Sequence, residues 1–322
     1  MLKFGIIGAG VIAHKFAEDI NKVAGAKLVA IASRDIKRAV AFKEHYTLDY
    51  AFGNYEEMAR SNKIDAVYIA TPHNFHKNQS IMFMEHHKHV LCEKPIAVNL
   101  FELDEMIASA KVNKVLLMEA LWTRFLPSSI YMKNLVESNQ FGLLKEVVLE
   151  FGYALIENYS EEKRLLNPSL AGGSLLDLGV YPISFLMYLN QSKIKSLKAA
   201  ARLHKTGVDI ETRIEILFEN GLKAFLKCSM DTNLNAPGKF GFEKGKVLME
   251  DFSRCKKLIV NGESLEIPYI EGGFNYQIAS FIKTINNNLL ENDIMSYEES
   301  RKVMKIMDDV RKMINLKYPF EV

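Results

Sequence analysis

A lysine at a predicted strand end and a glycine-rich turn are the features of this sequence that could carry out chemistry. Lys94 stands in the segment Leu91–Pro95 (LCEKP), directly after the apolar run His89–Cys92. Because proline fixes φ and has no amide donor, the strand must stop near this lysine. On the same sheet edge as a nucleotide-binding turn, the lysine would be placed to touch a reacting substrate.

The glycine-rich turn occupies Gly8–Ala13 (GAGVIA), which matches G-x-G-x-x-A between a predicted strand and a predicted helix. Glycines there permit a tight turn and let the backbone approach a pyrophosphate at the helix N-terminus. In its strand–helix–strand context the motif predicts a dinucleotide site, and a turn used only for packing is the alternative. The predicted contacts are Gly8, Ala9, Gly10, Val11 and Ile12.

The end of the second predicted strand indicates which dinucleotide binds. NAD-binding folds place an acid there for the ribose hydroxyl, whereas this chain has Ser33. Arg34 and Arg38 are four residues apart, as on one helical face, and guanidinium groups bind phosphate in bidentate geometry. NADP is therefore favoured over NAD. Alternatively, Ser33 caps the helix with both arginines solvated, and Asp35 leaves NAD open.

The first 120 residues alternate strands and helices, which predicts a parallel, doubly wound α/β sheet. A helix is predicted at Asn99–Val112, with Asn99 as its N-cap and Glu102 three residues on. The predicted strands are Lys3–Gly8, Ala26–Ser33, Asp65–Ala70, His89–Cys92 and Val115–Glu119.

Longer alternating strands follow residue 127, and Glu219-Asn220-Gly221 is a hairpin signal between two of them. This half is predicted to be an α+β domain with a large, mostly antiparallel, open-faced sheet. We expect a dinucleotide-binding domain at 1–122 and a substrate and dimerisation domain at 123–322, whose C-terminal helix could pack back on the first. The predicted strands include Leu144–Ala154, Ile194–His204, Thr212–Phe218 and Lys223–Ser229.

Composition excludes several classes of protein. The 41 basic and 39 acidic residues give a net charge of +2, which makes no case for nucleic acid or a membrane surface as partner. Three cysteines without C-x-x-C argue against a disulfide framework or zinc site, and no metal is expected at His86, His87 and His89. No apolar run approaches roughly 18 residues, so the cytoplasm is expected.

With these features assembled, the chain resembles the Gfo/Idh/MocA oxidoreductase family. Within it, the resemblance is to the branch of dimeric dihydrodiol dehydrogenases and NADP-dependent D-xylose dehydrogenases. It rests on five segments: Gly8–Ala13, Ala70–His76, Cys92–Pro95, Met118–Phe125 and Gly172–Pro182.

The resemblance implies that Lys94 contacts the substrate hydroxyl or carbonyl beside the nicotinamide. It also implies that Tyr181 is the general acid/base, with Asp177 nearby as a catalytic candidate. Many family members have histidine where this chain has Tyr181. Further cofactor contacts would come from Thr71, Pro72, His73, His76, Glu93, Lys94, Trp122 and Arg124. Substrate contacts would come from Lys94, Trp122, Phe125 and Tyr181.

Such a pair is chemically coherent. A tyrosine with a pKa near ~10 is a poor base at neutral pH, and a neighbouring ammonium and the positive nicotinamide would favour its phenolate. Each residue also has a plainer interpretation. Tyr181 could be a core tyrosine, Asp177 a helix cap or salt-bridge partner, and Trp122 a packing residue.

We therefore expect an NAD(P)-dependent oxidoreductase that transfers hydride between nicotinamide and a sugar, diol or related polyhydroxy compound. The alternatives are a non-catalytic NADP-binding sensor and an NAD-dependent inositol-type dehydrogenase. A sheet with one uncovered face would favour a homodimer, and a small molecule is the other expected partner.

Overall fold

The computed structural model describes residues 1–157 and 159–321, which form two compact units. Unit 1 comprises Met1–Trp122 and Ile270–Arg301. Unit 2 comprises Thr123–Tyr269 and the chain from Lys302 onward. Residues 270–301 thus belong to the first unit, although the sequence suggests only one domain change.

Unit 1 is built on a six-stranded sheet in which every pair of neighbours is parallel. The strand order β3-β2-β1-β4-β5-β6 is that of a dinucleotide-binding fold, and the order reverses between β1 and β4. The predicted doubly wound sheet is confirmed. Its strands are β1 (Leu2–Ile7), β2 (Ala26–Ala32), β3 (Tyr50–Phe52), β4 (Ala66–Ile69), β5 (His89–Glu93) and β6 (Leu117–Ala120).

Three helices of unit 1 begin with a side chain that accepts from first-turn amides: Asp35, Asn54 and Asn99. Asn99 accepts from Glu102 N at 2.9 Å, so the predicted cap is confirmed. The short strand β3 was not predicted. The helices are α1 (Val11–Ile20), α2 (Ile36–Tyr46), α3 (Tyr55–Arg60), α4 (His76–Glu85) and α5 (Leu100–Asn113).

Segment 270–301 joins unit 1 through the buried carboxylate of Asp19 in α1. Its Oδ2 accepts from the amide of Phe274 at 2.7 Å, which caps the helix that starts there. Gly272 has φ +98°, and a Cβ there would lie 2.0 Å from Asp19 Oδ1. Only glycine therefore lets the carboxylate approach.

Unit 2 contains an eight-stranded sheet of order β14-β13-β12-β11-β7-β10-β9-β8. Among the described strands of this second sheet, only β7 and β10 form a parallel pair, so the predicted mostly antiparallel sheet is confirmed. The predicted hairpin joins β9 to β10, with Gly221 at φ +84°. The strands are β7 (Leu144–Gly152), β8 (Ile194–Leu203), β9 (Asp209–Phe218), β10 (Lys223–Ser229), β11 (Gly238–Phe242), β12 (Gly245–Met249), β13 (Lys257–Val260) and β14 (Glu263–Glu266).

A nearly all-apolar helical segment forms the core of unit 2. A π-helical stretch, Leu175–Gly179, runs directly into α7 (Val180–Leu189), which packs against β7 and β10. Within the described residues, Pro168–Leu189 is the one stretch that is long enough and has a mean hydropathy high enough to cross a membrane. No apolar stretch of this length was expected from the sequence. This stretch is 89% buried inside the protein, as expected for the core helix of a folded domain. The remaining helices are α6 (Pro127–Glu137), α8 (Phe274–Asn286) and α9 (Tyr297–Met313).

Candidate functional site

A cleft of about 470 Å³ opens at the carboxyl edge of the parallel sheet in unit 1. The ends of β1, β2 and β4 meet there, at the point where the strand order reverses, which is where such sheets bind ligands. Its lining residues are Gly8, Ala9, Gly10, Ser33, Arg34, Asp35, Arg38, Tyr55, Ala70, Thr71, Pro72, Phe75 and Gln79.

The glycine-rich turn leaves this end of α1 open to an anion. Gly8 has φ +91°, and a Cβ there would lie 2.7 Å from the carbonyl oxygen of Ala70. A Cβ at Gly10 would meet no described atom within 4 Å, and no described side chain caps α1. The uncapped amides around Val11 and Ile12 and the helix dipole therefore suit the diphosphate of a dinucleotide.

The residues at the end of β2 are arranged differently from the prediction. Asp35, rather than Ser33, caps α2, because its Oδ1 accepts from Lys37 N at 2.9 Å. Ser33 instead accepts from Asp35 N at 3.3 Å. Arg34 precedes the helix, so the idea that it shares a helical face with Arg38 is wrong.

Both arginines nevertheless line the cleft. Arg38 Nη2 donates to the carbonyl oxygen of Ala9 at 2.5 Å, which ties the first turn of α2 to the glycine turn. The Arg34 guanidinium carbon lies 5.8 Å from the ring centroid of Phe75. The end of β2 thus presents two cations to the cleft, and its one carboxylate, Asp35, is used as a helix cap.

The segment after β4 forms the opposite wall. Thr71 and Pro72 line the cleft, and the Thr71 hydroxyl donates to Gln79. His73 and His76 are buried. The two ring nitrogens of His76 lie 2.9 Å from the Pro95 carbonyl oxygen and 2.8 Å from that of Thr71. His76 therefore supports the wall from behind, which favours a structural role over the predicted cofactor contact.

The lining residues that sequence reasoning did not select include Tyr55, Phe75 and Gln79. Phe75 and Gln79 are four residues apart, and Gln79 lies in α4. That spacing and their place just after the Thr-Pro turn were the signals available. Tyr55 begins α3 and offered no such signal.

Lys94 follows directly on β5 and is half-buried. Its amide donates to Glu93 Oε2 at 3.1 Å, and Tyr68 OH donates to Glu93 Oε1. Burial raises the pKa of Glu93 to about 7, although the Tyr68 hydrogen bond and the Lys94 charge act in the opposite direction. A carboxyl group that titrates near neutral pH therefore lies beside the lysine.

Three aromatic and basic residues predicted near the substrate lie in well-packed surroundings. Trp122 stacks on Phe274 within unit 1, with ring centroids 5.4 Å apart. Arg124 and Phe125 belong to unit 2, where both are buried. Arg124 Nε donates to Ser184 Oγ at 2.6 Å, which favours a structural role for Arg124 over the predicted cofactor contact.

Tyr181 lies in the first turn of α7 and is half-buried, with its ring centroid 4.8 Å from that of Phe151. One turn earlier, Asp177 Oδ1 accepts from Arg164 Nη1 at 2.8 Å. Asp177 is thus a salt-bridge partner, one of its plainer interpretations. Within the described residues, no group of three or more potential metal ligands is assembled.

Comparison with known proteins assigns the family. Residues 2–121 match the sequence model of an oxidoreductase family with an NAD-binding Rossmann fold, and residues 130–245 match the C-terminal domain model of Gfo/Idh/MocA proteins. The chain is 32% identical to trans-1,2-dihydrobenzene-1,2-diol dehydrogenase of Mus musculus over 331 residues, covering 99% of this chain and 98% of that protein. This chain belongs to the Gfo/Idh/MocA oxidoreductase family.

Two further similarities extend the comparison. The chain is 34% identical to scyllo-inositol 2-dehydrogenase (NADP⁺) of Bacillus subtilis, with 99% of each chain covered. The solved aldose–aldose oxidoreductase of Caulobacter crescentus has the same fold, with a TM-score of 0.87, 22% identity and 98% and 97% of the two chains covered. The predicted family is confirmed, and this Gfo/Idh/MocA protein is an NAD(P)-dependent oxidoreductase.

Proposed function

We propose that this protein is an NADP-dependent dehydrogenase or reductase that acts on a CH–OH group of a diol, inositol or sugar. The observation that carries the cofactor preference is the pair Arg34 and Arg38 at the cleft, beside Ser33 where an NAD-binding fold has an acid. The substrate class is supported by relatives named for a dihydrodiol and for scyllo-inositol, the latter with NADP⁺.

Different residues of the cleft would bind different parts of the cofactor. The turn Gly8–Gly10 and the first amides of α1 would hold the diphosphate, and Arg34 and Arg38 would hold a ribose 2′-phosphate. Two cations suit a phosphate better than they suit a ribose hydroxyl. A free 2′-hydroxyl would need a carboxylate acceptor at position 33, and Ser33 does not provide one. The bound nicotinamide would supply or take up the hydride.

Lys94 and Tyr181 supply the groups for proton transfer in this proposal. In oxidation, the substrate C–H bond breaks with loss of hydride while the O–H proton passes to the Tyr181 phenolate, leaving a carbonyl. Lys94 donates a hydrogen bond to the same substrate oxygen and stabilises its developing negative charge. In reduction, the Tyr181 hydroxyl returns the proton.

Asp177, Trp122 and Phe125 complete the proposal. Asp177 lies one helical turn before Tyr181, and its ion pair with Arg164 balances its charge there. The Trp122 ring, stacked on Phe274, would offer an apolar surface to the carbon skeleton of the substrate, and Phe125 is proposed as a further substrate contact.

A substrate panel with both cofactors tests the function. We expect NADP-dependent change in nicotinamide absorbance with at least one trans-diol, inositol or aldose, and a lower KM for NADP than for NAD. Replacing Arg34 by alanine should raise the KM for NADP by roughly 10- to 100-fold and leave that for NAD nearly unchanged, since it removes one charged hydrogen-bond donor. Cofactor binding without turnover of any substrate would instead support the sensor, and a preference for NAD would contradict the phosphate assignment.

We also propose a homodimer through the outer face of the sheet in unit 2. A cross-strand row on this face mixes charged with apolar side chains, and Phe225, near its middle, is 40% exposed. The row comprises Lys198, Glu215, Phe225, Val148, Lys239, Leu248 and Ile259. Light scattering should give the mass of a dimer at micromolar concentration and that of a monomer for Phe225→Glu, whereas a monomeric wild type would contradict the proposal.

A further inference from the structure

The turn that follows β5 is held by side chains rather than by a strand or helix ladder. Each of the three consecutive residues 94 to 96 has one backbone polar group with a buried side-chain partner. The Lys94 amide is bound by Glu93, the Pro95 carbonyl lies 2.9 Å from His76 Nδ1, and the Ile96 amide is bound by Glu119. A loop anchored at three successive residues in this way has little freedom to move its lysine.

Glu119 is an unexpected partner, because it is a charged residue at a buried position of a sheet. It lies on β6 and is only 2% exposed, so its carboxylate must be compensated by hydrogen bonds. Oε1 accepts from the Ile96 amide at 3.1 Å, and Oε2 accepts from the Ser300 hydroxyl at 2.7 Å. A neutral apolar residue would fill this place in the sheet at lower cost in desolvation.

The same carboxylate also acts electrostatically. Glu119 is one of the groups that raise the pKa of the neighbouring buried Glu93, and the Lys94 charge lowers it. Glu93 therefore interacts electrostatically with both the lysine and Glu119, in addition to the hydrogen bonds that fix the backbone of the turn.

We propose that Glu119 is a positioning residue for Lys94, because its carboxylate fixes the backbone two residues beyond the lysine and links that turn to Ser300. The inference rests on the role proposed above for Lys94. It assigns a function to a buried acid that touches neither the cleft nor, in this proposal, the substrate.

Glu119→Ala, compared with Glu119→Gln, tests the inference in the full-length protein. Glutamine keeps an oxygen for the Ile96 amide and can donate to the Ser300 hydroxyl, whereas alanine removes both contacts. For Glu119→Ala we expect faster hydrogen exchange at the Ile96 amide and a kcat lower by about 100-fold, the order of loss for a displaced catalytic group. The Kd for NADPH should stay unchanged, and Glu119→Gln should restore most of the kcat and the protection.

Asn292→Ala is the matched control. Asn292 is a buried polar residue of unit 1 whose Oδ1 accepts from the amides of Ile294 and Met295, so its loss also removes two backbone contacts. It should lower stability without changing kcat or exchange at Ile96. If Glu119→Ala does not fold, the milder variant Ser300→Ala takes its place. It should give a smaller loss of kcat.

Wild-type exchange at Ile96, or wild-type kcat, in a folded Glu119→Ala protein would overturn the inference. The rate of Lys94 acylation by acetic anhydride, read by peptide mass spectrometry, needs no turnover. If the wild type has no activity but Glu119→Ala changes both Ile96 exchange and Lys94 acylation, the proposed function fails and the positioning role stands. If the wild type is active and neither changes, the positioning role alone fails.

Discussion

The two segments proposed to carry proton transfer are built in opposite ways. Lys94 follows a parallel strand in unit 1, and the helix after it, α5, is capped by its own neighbour Asn99. Tyr181 lies in unit 2 on a helical segment that begins at Leu175, whose amide donates at 2.7 Å to Asp209, 34 residues away in sequence. The Lys94 turn combines a partner adjacent in sequence, Glu93, with the more distant Glu119, whereas the start of the Tyr181 segment is held by one distant carboxylate.

A buried carboxylate takes part in each segment. Asp209 Oδ2 accepts from Ser174 Oγ, the Leu175 amide and Thr212 Oγ1, at 2.6, 2.7 and 2.7 Å. Burial raises the pKa of Asp209, as it does that of Glu93, even though these hydrogen bonds lower it. Both units thus use a desolvated acid to organise backbone near a candidate catalytic residue, but only in unit 1 does the acid bind the amide of that residue itself.

The largest effect should come from removing the two candidate catalytic groups. We expect Tyr181→Phe and Lys94→Ala each to lower kcat by roughly 1,000-fold, since a positioned acid or base contributes on that scale, with NADPH binding retained. Tyr153→Phe is the control, because Tyr153 also packs on Phe151 in unit 2. A Tyr181→Phe enzyme as fast as the wild type would show that Tyr181 is not the general acid/base, so that, of the two, Lys94 alone would remain as a candidate catalytic residue.

The next effect concerns pH and the acid beside Lys94. The pKa of Glu93 is raised from 4.5 to about 7, so the native state holds this proton more tightly than the unfolded state does. Its stabilising effect is complete below pH 4.5 and is lost as the pH rises to about 7. Glutamine cannot ionise, so the stability of Glu93→Gln relative to wild type should increase by about 3 kcal/mol between pH 4.5 and pH 8.

Urea unfolding at the two pH values measures this difference. Glu146→Gln, at an exposed position on β7, is the control, since water already surrounds its carboxylate. A Glu93→Gln advantage that is equal at both pH values would show that burial does not hold the proton on Glu93.

A smaller effect is expected at the start of the helical segment in unit 2. Ser174→Ala removes a buried hydroxyl that donates to Asp209, which should cost about 2 kcal/mol of unfolding free energy. Ser196→Ala, at an exposed position on β8, should cost almost nothing. Equal stability of the two variants would mean that Asp209 does not anchor this segment.

The smallest effect is expected at the local cap of α5. Asn99→Ala should lower the unfolding free energy by about 1 kcal/mol, because the Glu102 amide loses its acceptor. Asn99→Asp keeps an acceptor and should retain most of the stability. A loss larger than that of Ser174→Ala would reverse the proposed ranking of distant and local anchors.

The accuracy of the sequence predictions follows this contrast. The glycine turn, the cap at Asn99 and the hairpin at Gly221 are defined by residues within a few positions of each other, and each was predicted. The helical segment from Leu175 was not assigned an element, because its nearly unbroken apolar sequence has neither helical nor strand periodicity.

The candidate site divides in the same way. The cleft contains the predicted Gly8 and Gly10, whose lack of a side chain is a local property. Tyr55 and Gln79 line it as well, but they are distant in sequence and only the fold brings them there. The arrangement of Arg34 and Arg38 was predicted as one helical face and is instead a loop residue beside a first-turn residue, since Asp35 starts the helix later.

The sequence by itself determined the family, the order of strands and helices in the first 120 residues apart from the short β3, and the residue types available for cofactor binding and proton transfer. Those properties depend on short-range patterns of turns, caps and apolar periodicity. Only the tertiary structure decided which acids are buried at Glu93, Glu119 and Asp209 and what each one binds. Burial and its pKa shifts arise from contacts between distant segments, and desolvation has no signature in the local sequence.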